Sequence, residues 1–502
     1  MLANFWKLLS VTRRSTAEAF AVSIAAALLV RASVPLSAQS SAPGIAPLKL
    51  GGVGISGSLR TRVESWDWFG SSSAGAYTYP GSLFRVGVSR TTKPYDWQVE
   101  FALPVLLGLP HQPAGAGPQG LGANYFTANG GRTNAAMLFV KQAFARFHDL
   151  GGVAGQSLKL GRMEFFDGTE VSPSNATLAA VKRDRVALRL LGNFGFTHVG
   201  RSLDGVQYAI DRPRMNVTLL AARPSRGVFQ VDGWGELNVN VFYGAITGQL
   251  GDTAHPGEWR LFGLGYHDYR DDVVKADNRP FAARQADRHH STIGTIGGHF
   301  IRTIDARPGT IDLLVWGAVQ AGSWGNLTHR AGSFAAEAGW QPKTAFAPWV
   351  RGGFDFASGD HNRNDTMHGT FFQVLPTPRL YARFPFFNMM NTGDAFGELI
   401  LRPSKALTIR ADVHSLRLAD ANDLWYQGGG AFQPRTFGYG GQVSEGYQGL
   451  AVLSDASADL VVTPRVSIGA YYGYAAGGPV AKANYVTDTN ARLGYVELLL
   501  RF

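Results

Sequence analysis

The sequence predicts an all-β protein: a single transmembrane antiparallel β-barrel of about 18 strands with long extracellular loops. Three observations predict it. An export signal opens the chain, apolar and polar residues alternate with period two through most of the remainder, and the last segment is amphipathic and ends in an aromatic residue.

The signal occupies residues 1–38. Lys7, Arg13 and Arg14 form a basic start, Ala19 to Val30 an apolar stretch, and Leu36-Ser37-Ala38 a small-residue cleavage site. The apolar stretch is shorter than the roughly 20 residues a helix needs to cross a bilayer. Residues 39–57 are expected to form a short periplasmic segment, and residues 58–502 the barrel. With the first strand beginning about twenty residues after cleavage, no globular plug domain of the kind that couples a receptor to an energy source is expected before it.

Alternation is strict in several places. Leu59, Thr61 and Val63 interleave with Arg60, Arg62 and Glu64; Trp97, Val99, Phe101 and Leu103 with Gln98, Glu100 and Ala102; Leu407, Ile409, Ala411 and Val413 with Thr408, Arg410, Asp412 and His414. Val186, Leu188 and Leu190 alternate with Arg185 and Arg189, and Leu237, Val239 and Val241 with Asn238 and Asn240. A soluble sandwich alternates too, but its dry core cannot hold charges at consecutive inward positions. The chain ends on Val496, Leu498, Leu500 and Phe502, alternating with Tyr495, Glu497 and Arg501. This end is expected to be read by the barrel assembly machinery through Phe502, placing the protein in the outer membrane of a Gram-negative bacterium among its lipid and lipopolysaccharide.

Hydrocarbon admits only helices or closed barrels. The mature length, at roughly 25 residues per strand with its connection, gives about 18 strands. Four stretches are too long for turns: Pro104 to Thr133, Tyr269 to His290, Ser358 to Asp394 and Leu418 to Gln448.

Composition narrows the function classes. Cysteine is absent, which excludes disulfide scaffolds and thiolate metal sites. Lys+Arg number 47 against 37 acids, and the basic residues are mostly arginine, the side chain suited to bidentate carboxylate or phosphate contacts. Blocks of like charge that would favour nucleic acid are missing. Gly52, Gly54 and Gly57 spell a dinucleotide fingerprint, but a strand follows where a helix is required. Asp360, Asn362 and Asn364 begin a calcium-loop pattern that fails at Asp365 and Phe371, and His289-His290 lacks a third ligand. No catalytic motif, cofactor or metal site is expected.

Five segments together resemble the alginate export family of outer-membrane barrels: LRTRVESWDWF from Leu59, KQAFARF from Lys141 with LKLGRMEFFDG from Leu158, ASGDHNRND from Ala357 with GTFFQVLP from Gly369, LTIRADVHSLRLADANDLWY from Leu407, and the terminal GYVELLLRF. The chain departs from the pattern at ASADLVV near Asp459, where the family would have Glu before Asp. The resemblance implies a pore for an anionic polysaccharide such as alginate, with one carboxylate per sugar. Guanidinium groups would replace water around each carboxylate, and acids would keep binding weak enough for movement. Alternation places Arg60, Arg62, Glu64, Arg185, Arg189, Arg410, Asp412 and His414 on the inward face. The resemblance adds Lys141 and Arg162. Arg162 shares parity with Leu158 and Leu160, so its inward reading requires a bulge at Gly161, and Lys159 is the alternative. A porin for small anionic metabolites, a non-conducting structural or adhesive barrel and an outer-membrane hydrolase are the rival readings.

Overall fold

The computed structural model describes residues 45–502 except 71–74, 112–119, 253–254 and 378–382. The signal segment lies outside the described residues.

Eighteen strands make the wall: β1 (Val53–Asp67), β2 (Ala76–Thr91), β3 (Tyr95–Leu106), β4 (Phe139–His148), β5 (Gln156–Met163), β6 (Leu203–Arg212), β7 (Met215–Pro224), β8 (Val239–Leu250), β9 (Gly257–Asp268), β10 (Ser291–Ala306), β11 (Gly309–Trp324), β12 (Leu327–Pro342), β13 (Trp349–Ala357), β14 (Thr392–Leu401), β15 (Leu407–Arg417), β16 (Gly449–Thr463), β17 (Val466–Gly477) and β18 (Asn490–Arg501). Each pairs antiparallel with the next, and β1 pairs with β18, from Ser58↔Arg501 to Asp67↔Arg492, so the sheet has no edge. Closure satisfies the backbone within the wall, the condition hydrocarbon imposes. The first strand takes in residues 53–57.

One end carries short turns, such as Pro213-Arg214 and Arg307-Pro308. The other carries the long connections 107–138, 164–202, 269–290, 358–391 and 418–448. In barrels of this class short turns face the periplasm and long loops the exterior. Period two sorts the side chains: Val63, Phe84, Leu261, Ile296, Val315 and Val413 face outward, while Arg60, Glu64, Arg260, Glu337 and Asp412 are buried inside.

One sequence expectation changes. Residues 185–190 are not a strand: a short helix, Ala176–Val181, capped by the Asn175 side chain on Leu178 N, runs into a π-helical turn, Lys182–Val186. This segment lies inside the barrel as part of the loop between β5 and β6. The face of β8 that holds Val239 and Val241 turns inward, not toward lipid. There it joins Tyr243 and Ala245 in a dry core with Val186, Leu190 and Leu191 of that loop and Phe371, Phe372 and Leu375 of the loop after β13. A second core gathers Trp66, Trp68, Phe69, Phe384, Phe386 and Trp425. The long loops thus fold inward and pack as an interior.

The infolded loops interlock through backbone. Gly192 N donates to Leu375 O (2.8 Å), Leu375 N to Leu190 O (2.8 Å) and Thr377 N to Leu188 O (3.0 Å). Arg201, 1 % exposed, donates to the carbonyls of Gly192 (3.1 Å), Leu375 (3.2 Å), Gly429 (2.6 Å) and Ala431 (3.2 Å), bridging three loops.

Candidate functional site: the charged lumen

Inward parity brings charges from successive strands to one height. On β1, Arg62 lies between Glu64 (Nε to Oε1, 2.6 Å) and Glu497 of β18 (3.2 Å), and also donates to Phe196 O (2.7 Å). Arg60 donates to the carbonyls of Gly195 and Thr197. These two arginines therefore grip the infolded loop with part of their donor sets. Next to them, Arg85 of β2 binds Glu100 and Glu164 (2.9 Å to the latter).

Lys141 points inward because of a bulge. Gln142 faces Glu100 while Val140 faces Phe101, leaving Lys141 as the extra residue, and its ammonium donates to Val199 O (3.2 Å) and Arg201 O (3.1 Å). The bulge expected at Gly161 is absent: Ala143↔Arg162, Phe144↔Gly161 and Ala145↔Leu160 run without a shift. Gly161 serves a close approach instead. Its φ is +120°, and a Cβ there would lie 2.2 Å from Ala143 O. Arg162 therefore shares the outer face with exposed Leu160. It makes a bidentate pair with Asp204 (2.7 and 2.6 Å) and donates to the carbonyls of Val140, Gly233 and Trp234, tying the wall to the loop after β7. Lys159 takes the inward position, with its ammonium 3.8 Å from the centre of the Phe144 ring.

The largest network lies across the lumen. Glu337 of β12 accepts from Arg185 (2.9 Å), Arg189 (3.2 Å) and Arg351 (2.9 Å). Arg185 and Arg189 both reach Asp355 of β13 as well, at 3.2 and 2.8 Å. Aromatic faces close the assembly: Arg185 lies over Phe396 (4.1 Å) and Arg189 over Trp316 (5.0 Å). Arg185 and Arg189 thus reach the lumen from a loop, and their guanidiniums are engaged by wall acids. Replacement of water by two acids and a ring is the geometry in which a buried charge is tolerated.

Nearer the periplasm the charges are more open. Arg410 of β15 binds Glu398 (2.9 Å) and Asp184 (3.4 Å) and keeps 19 % of its side chain exposed; Arg183 binds Asp184 (2.7 Å) and keeps 40 %. Burial pushes the Asp184 carboxyl up, but Arg183 and Arg410 pull it down to about 2. Arg402, in the turn after β14, stands over Trp349 in the same region. Asp412 faces Glu398 on one side and Asp455 on the other, and His414 Nδ1 meets Asp394 (2.9 Å). Among the described residues no His/Asp/Glu cluster suited to a metal ion occurs.

Sequence reasoning missed Glu337, Asp355, Arg351, Glu398 and Arg201. The first four carried a usable signal, a single charge set among apolar and small residues within a strand-like stretch, as in Trp349-Val350-Arg351 and Phe354-Asp355-Phe356. Arg201 carried none, because nothing periodic surrounds it.

Where the extracellular loops meet, two carboxylates are buried with no basic partner among the described residues. Asp423 accepts from Thr370 Oγ1 (2.5 Å), Asp360 N (2.9 Å), Leu424 N (2.7 Å) and Tyr426 OH (2.7 Å), and burial pushes it up to about 6. Burial also raises Asp360, with Asp277 and Asp365 adding repulsion. A carboxyl raised on loop closure stabilises the closed arrangement when protonated, and that stability is lost as pH rises through about 6. Loop opening, read by hydrogen exchange of 358–371 and 418–428, is expected to be up to roughly a hundredfold rarer at pH 4.5 than at pH 7.5. Asp423→Asn should flatten most of the profile. A wild-type profile without slope would show that these carboxyls do not couple to opening.

The family model described as "Alginate export" matches residues 123–449. The chain belongs to the alginate export family. Among curated proteins none matches it in sequence. Of the solved structures it resembles, Pseudomonas aeruginosa OccK9 (OpdG) is 10 % identical with a TM-score of 0.56, over 90 % of this chain and 98 % of that one. The outer membrane protein OpdK of the same organism is 8 % identical with a TM-score of 0.54, over 89 % and 98 %, and OccAB2 of Acinetobacter baumannii 9 % identical with 0.54, over 89 % and 98 %. At such identities these likenesses concern the barrel fold. Family and fold are those of outer-membrane channels, and this member is an outer-membrane pore protein of a Gram-negative bacterium.

Proposed function

We propose that the pore passes an anionic polysaccharide, alginate or a related oligouronate, by passive export or diffusion, and that it is not an enzyme. The observation that carries the reading is the partly open set Arg183, Arg402 and Arg410 around Asp184 and Glu398. Arginines offer planar, bidentate partners to uronate carboxylates. The neighbouring acids compete for the same guanidiniums, which keeps each contact weak, as conduction requires. Membership of the alginate export family favours the same substrate class. A second reading, a porin for small anions, draws on the structure of OpdK with vanillate, a carboxylate-bearing ligand of that protein.

Single-channel conductance of the refolded protein in a planar bilayer tests both. Anion-selective current blocked by oligouronate supports the polysaccharide pathway, whereas anion-selective current indifferent to oligouronate moves the assignment to the small-anion porin. Arg410→Ala is expected to lower anion preference and to weaken oligouronate block by about tenfold, the loss of one charge-assisted contact. Unaltered selectivity would remove Arg410 from the pathway.

A further inference from the structure

The outer surface at the periplasmic end is strongly basic. Lys93, Arg214, Arg307, Lys343, Lys405 and Arg465 stand exposed on six of the short turns. Three more arginines lie toward the periplasmic ends of strands on the outward face, each two residues beyond an apolar outward residue: Arg90 after Val88, Arg212 after Ile210 and Arg302 after Phe300. Among the described residues the exposed acids at this level are fewer: Asp149, Asp211, Asp252 and Asp305, of which Asp305 is met by Lys343 at 3.5 Å and Asp252 by His255 at 3.6 Å. Among the described residues the exposed charges at the extracellular end lie nearer balance. There Glu236, Asp271, Asp272, Asp365 and Glu445 stand exposed against Arg132, Arg288, Arg330, Arg363, Arg417, Arg435 and Lys482.

The height of this ring is marked by aromatic side chains. Tyr95, Phe147, Phe300 and Trp340 are exposed on the outer wall beside these turns, and outward aromatics collect where hydrocarbon gives way to headgroups. The basic groups therefore sit at the phosphate level of the periplasmic leaflet. Arg90, Arg212 and Arg302 share the outward face at this level, and the Arg212 guanidinium donates to Ala154 O and Asp211 O at the adjoining turn.

We infer that this ring binds the phosphates of anionic phospholipids in the periplasmic leaflet, phosphatidylglycerol above all. Three features favour a lipid annulus over a polymer or a protein docked at the mouth. The charges follow the whole perimeter rather than one side. Three of them point outward, away from the lumen. They lie level with the aromatic girdle, where the negative surface potential of an anionic leaflet acts most strongly. The consequence is a barrel fixed at its periplasmic edge, with depth and tilt set by lipid charge.

The test uses the full-length mature barrel in phosphatidylcholine membranes containing spin-labelled phosphatidylglycerol or spin-labelled phosphatidylcholine, with electron spin resonance reporting the motionally restricted fraction of each. Phosphatidylglycerol should be preferred, and about 0.5 M salt should reduce the preference because exposed charges are screened. Arg90→Gln, Arg212→Gln and Arg302→Gln combined should lower the relative association by about tenfold or more. Slower migration of the boiled form than the unboiled form on SDS gels checks that the triple variant is folded, and its single-channel conductance should equal wild type because the three side chains face outward. Equal restriction of the two lipids by the wild type overturns the proposal. So does a preference that survives in the folded triple variant. Loss of oligouronate capture in that variant, without any lipid preference in the wild type, would reassign the ring to the polymer.

Discussion

Arg201→Met should release the infolded loops while leaving the barrel standing. Among the described residues Arg201 is the one side chain that donates to carbonyls of three infolded loops, those after β5, β13 and β15. Burial lowers its pKa to about 10, so it is still a cation at neutral pH, and among the described residues no carboxylate pairs with it. Its charge is spent on four backbone oxygens. Methionine fills part of the volume but donates nothing, so four carbonyls lose a donor in a water-poor site. At about 1 kcal/mol or more per lost bond, the closed arrangement should weaken by roughly 3–5 kcal/mol. Limited proteolysis within 164–202, 369–377 and 425–438 should accelerate by at least about a hundredfold, and mean conductance should rise as the loops leave the lumen. Heat-modifiable migration should persist, because none of the eighteen strands depends on Arg201. Arg201→Lys keeps the charge but lacks the planar fork, and should fall between wild type and Met. Wild-type protease resistance in Arg201→Met would show that the backbone bonds between Leu190, Gly192 and Leu375 suffice to hold the loops.

How much of this was legible beforehand depends on what period two reports. It tells which residues share a face of a strand. For Arg60, Arg62 and Glu64 on β1, and for Arg410, Asp412 and His414 on β15, that was enough, because charge cannot face hydrocarbon and the inward side follows. For Val239 and Val241 on β8 it was not. An apolar face suits lipid and suits a packed loop equally, and only the folded loop decides between them. Arg185 and Arg189 show the converse: four-residue spacing in Arg185-Val186-Ala187-Leu188-Arg189 reads as alternation in a strand, but the chain satisfies it with a π-helical turn followed by a turn in which Leu188 takes a positive φ. Arg162 was legible in parity and lost to expectation, since Leu158, Leu160 and Arg162 do share the outer face. The bulge was one strand away, at Lys141, where no glycine announces it. The count of about 18 strands and the four long connections followed from length and turn residues. The infolding of those loops did not, because it is decided by contacts far apart in sequence, such as Leu191 with Leu375.

Glu337→Ala is expected to have the largest effect on selectivity. Glu337 is completely enclosed and receives Arg185, Arg189 and Arg351. Removing one partner from such an assembly leaves the others buried and undercompensated, a loss of about 3–5 kcal/mol. Asp355 and Asp312 retain some hold on the three arginines, so the network should loosen and not vanish. The lumen then gains one net positive charge. Reversal potentials in a salt gradient should move toward stronger anion preference, and thermal unfolding of the loop network should fall by several degrees. Glu337→Gln separates the two contributions: it keeps shape and an acceptor but removes the charge, so its selectivity should approach that of Ala while its stability loss is smaller. Arg410→Ala provides the opposite sign, since it deletes a partly exposed cation between Glu398 and Asp184. If the lumen acts electrostatically on its substrate, the two substitutions must shift selectivity in opposite directions. If both shift it the same way, the substitutions act by moving the loop that carries Arg185 and Arg189, and selectivity is set by the loop's position and not by the charge facing the pore.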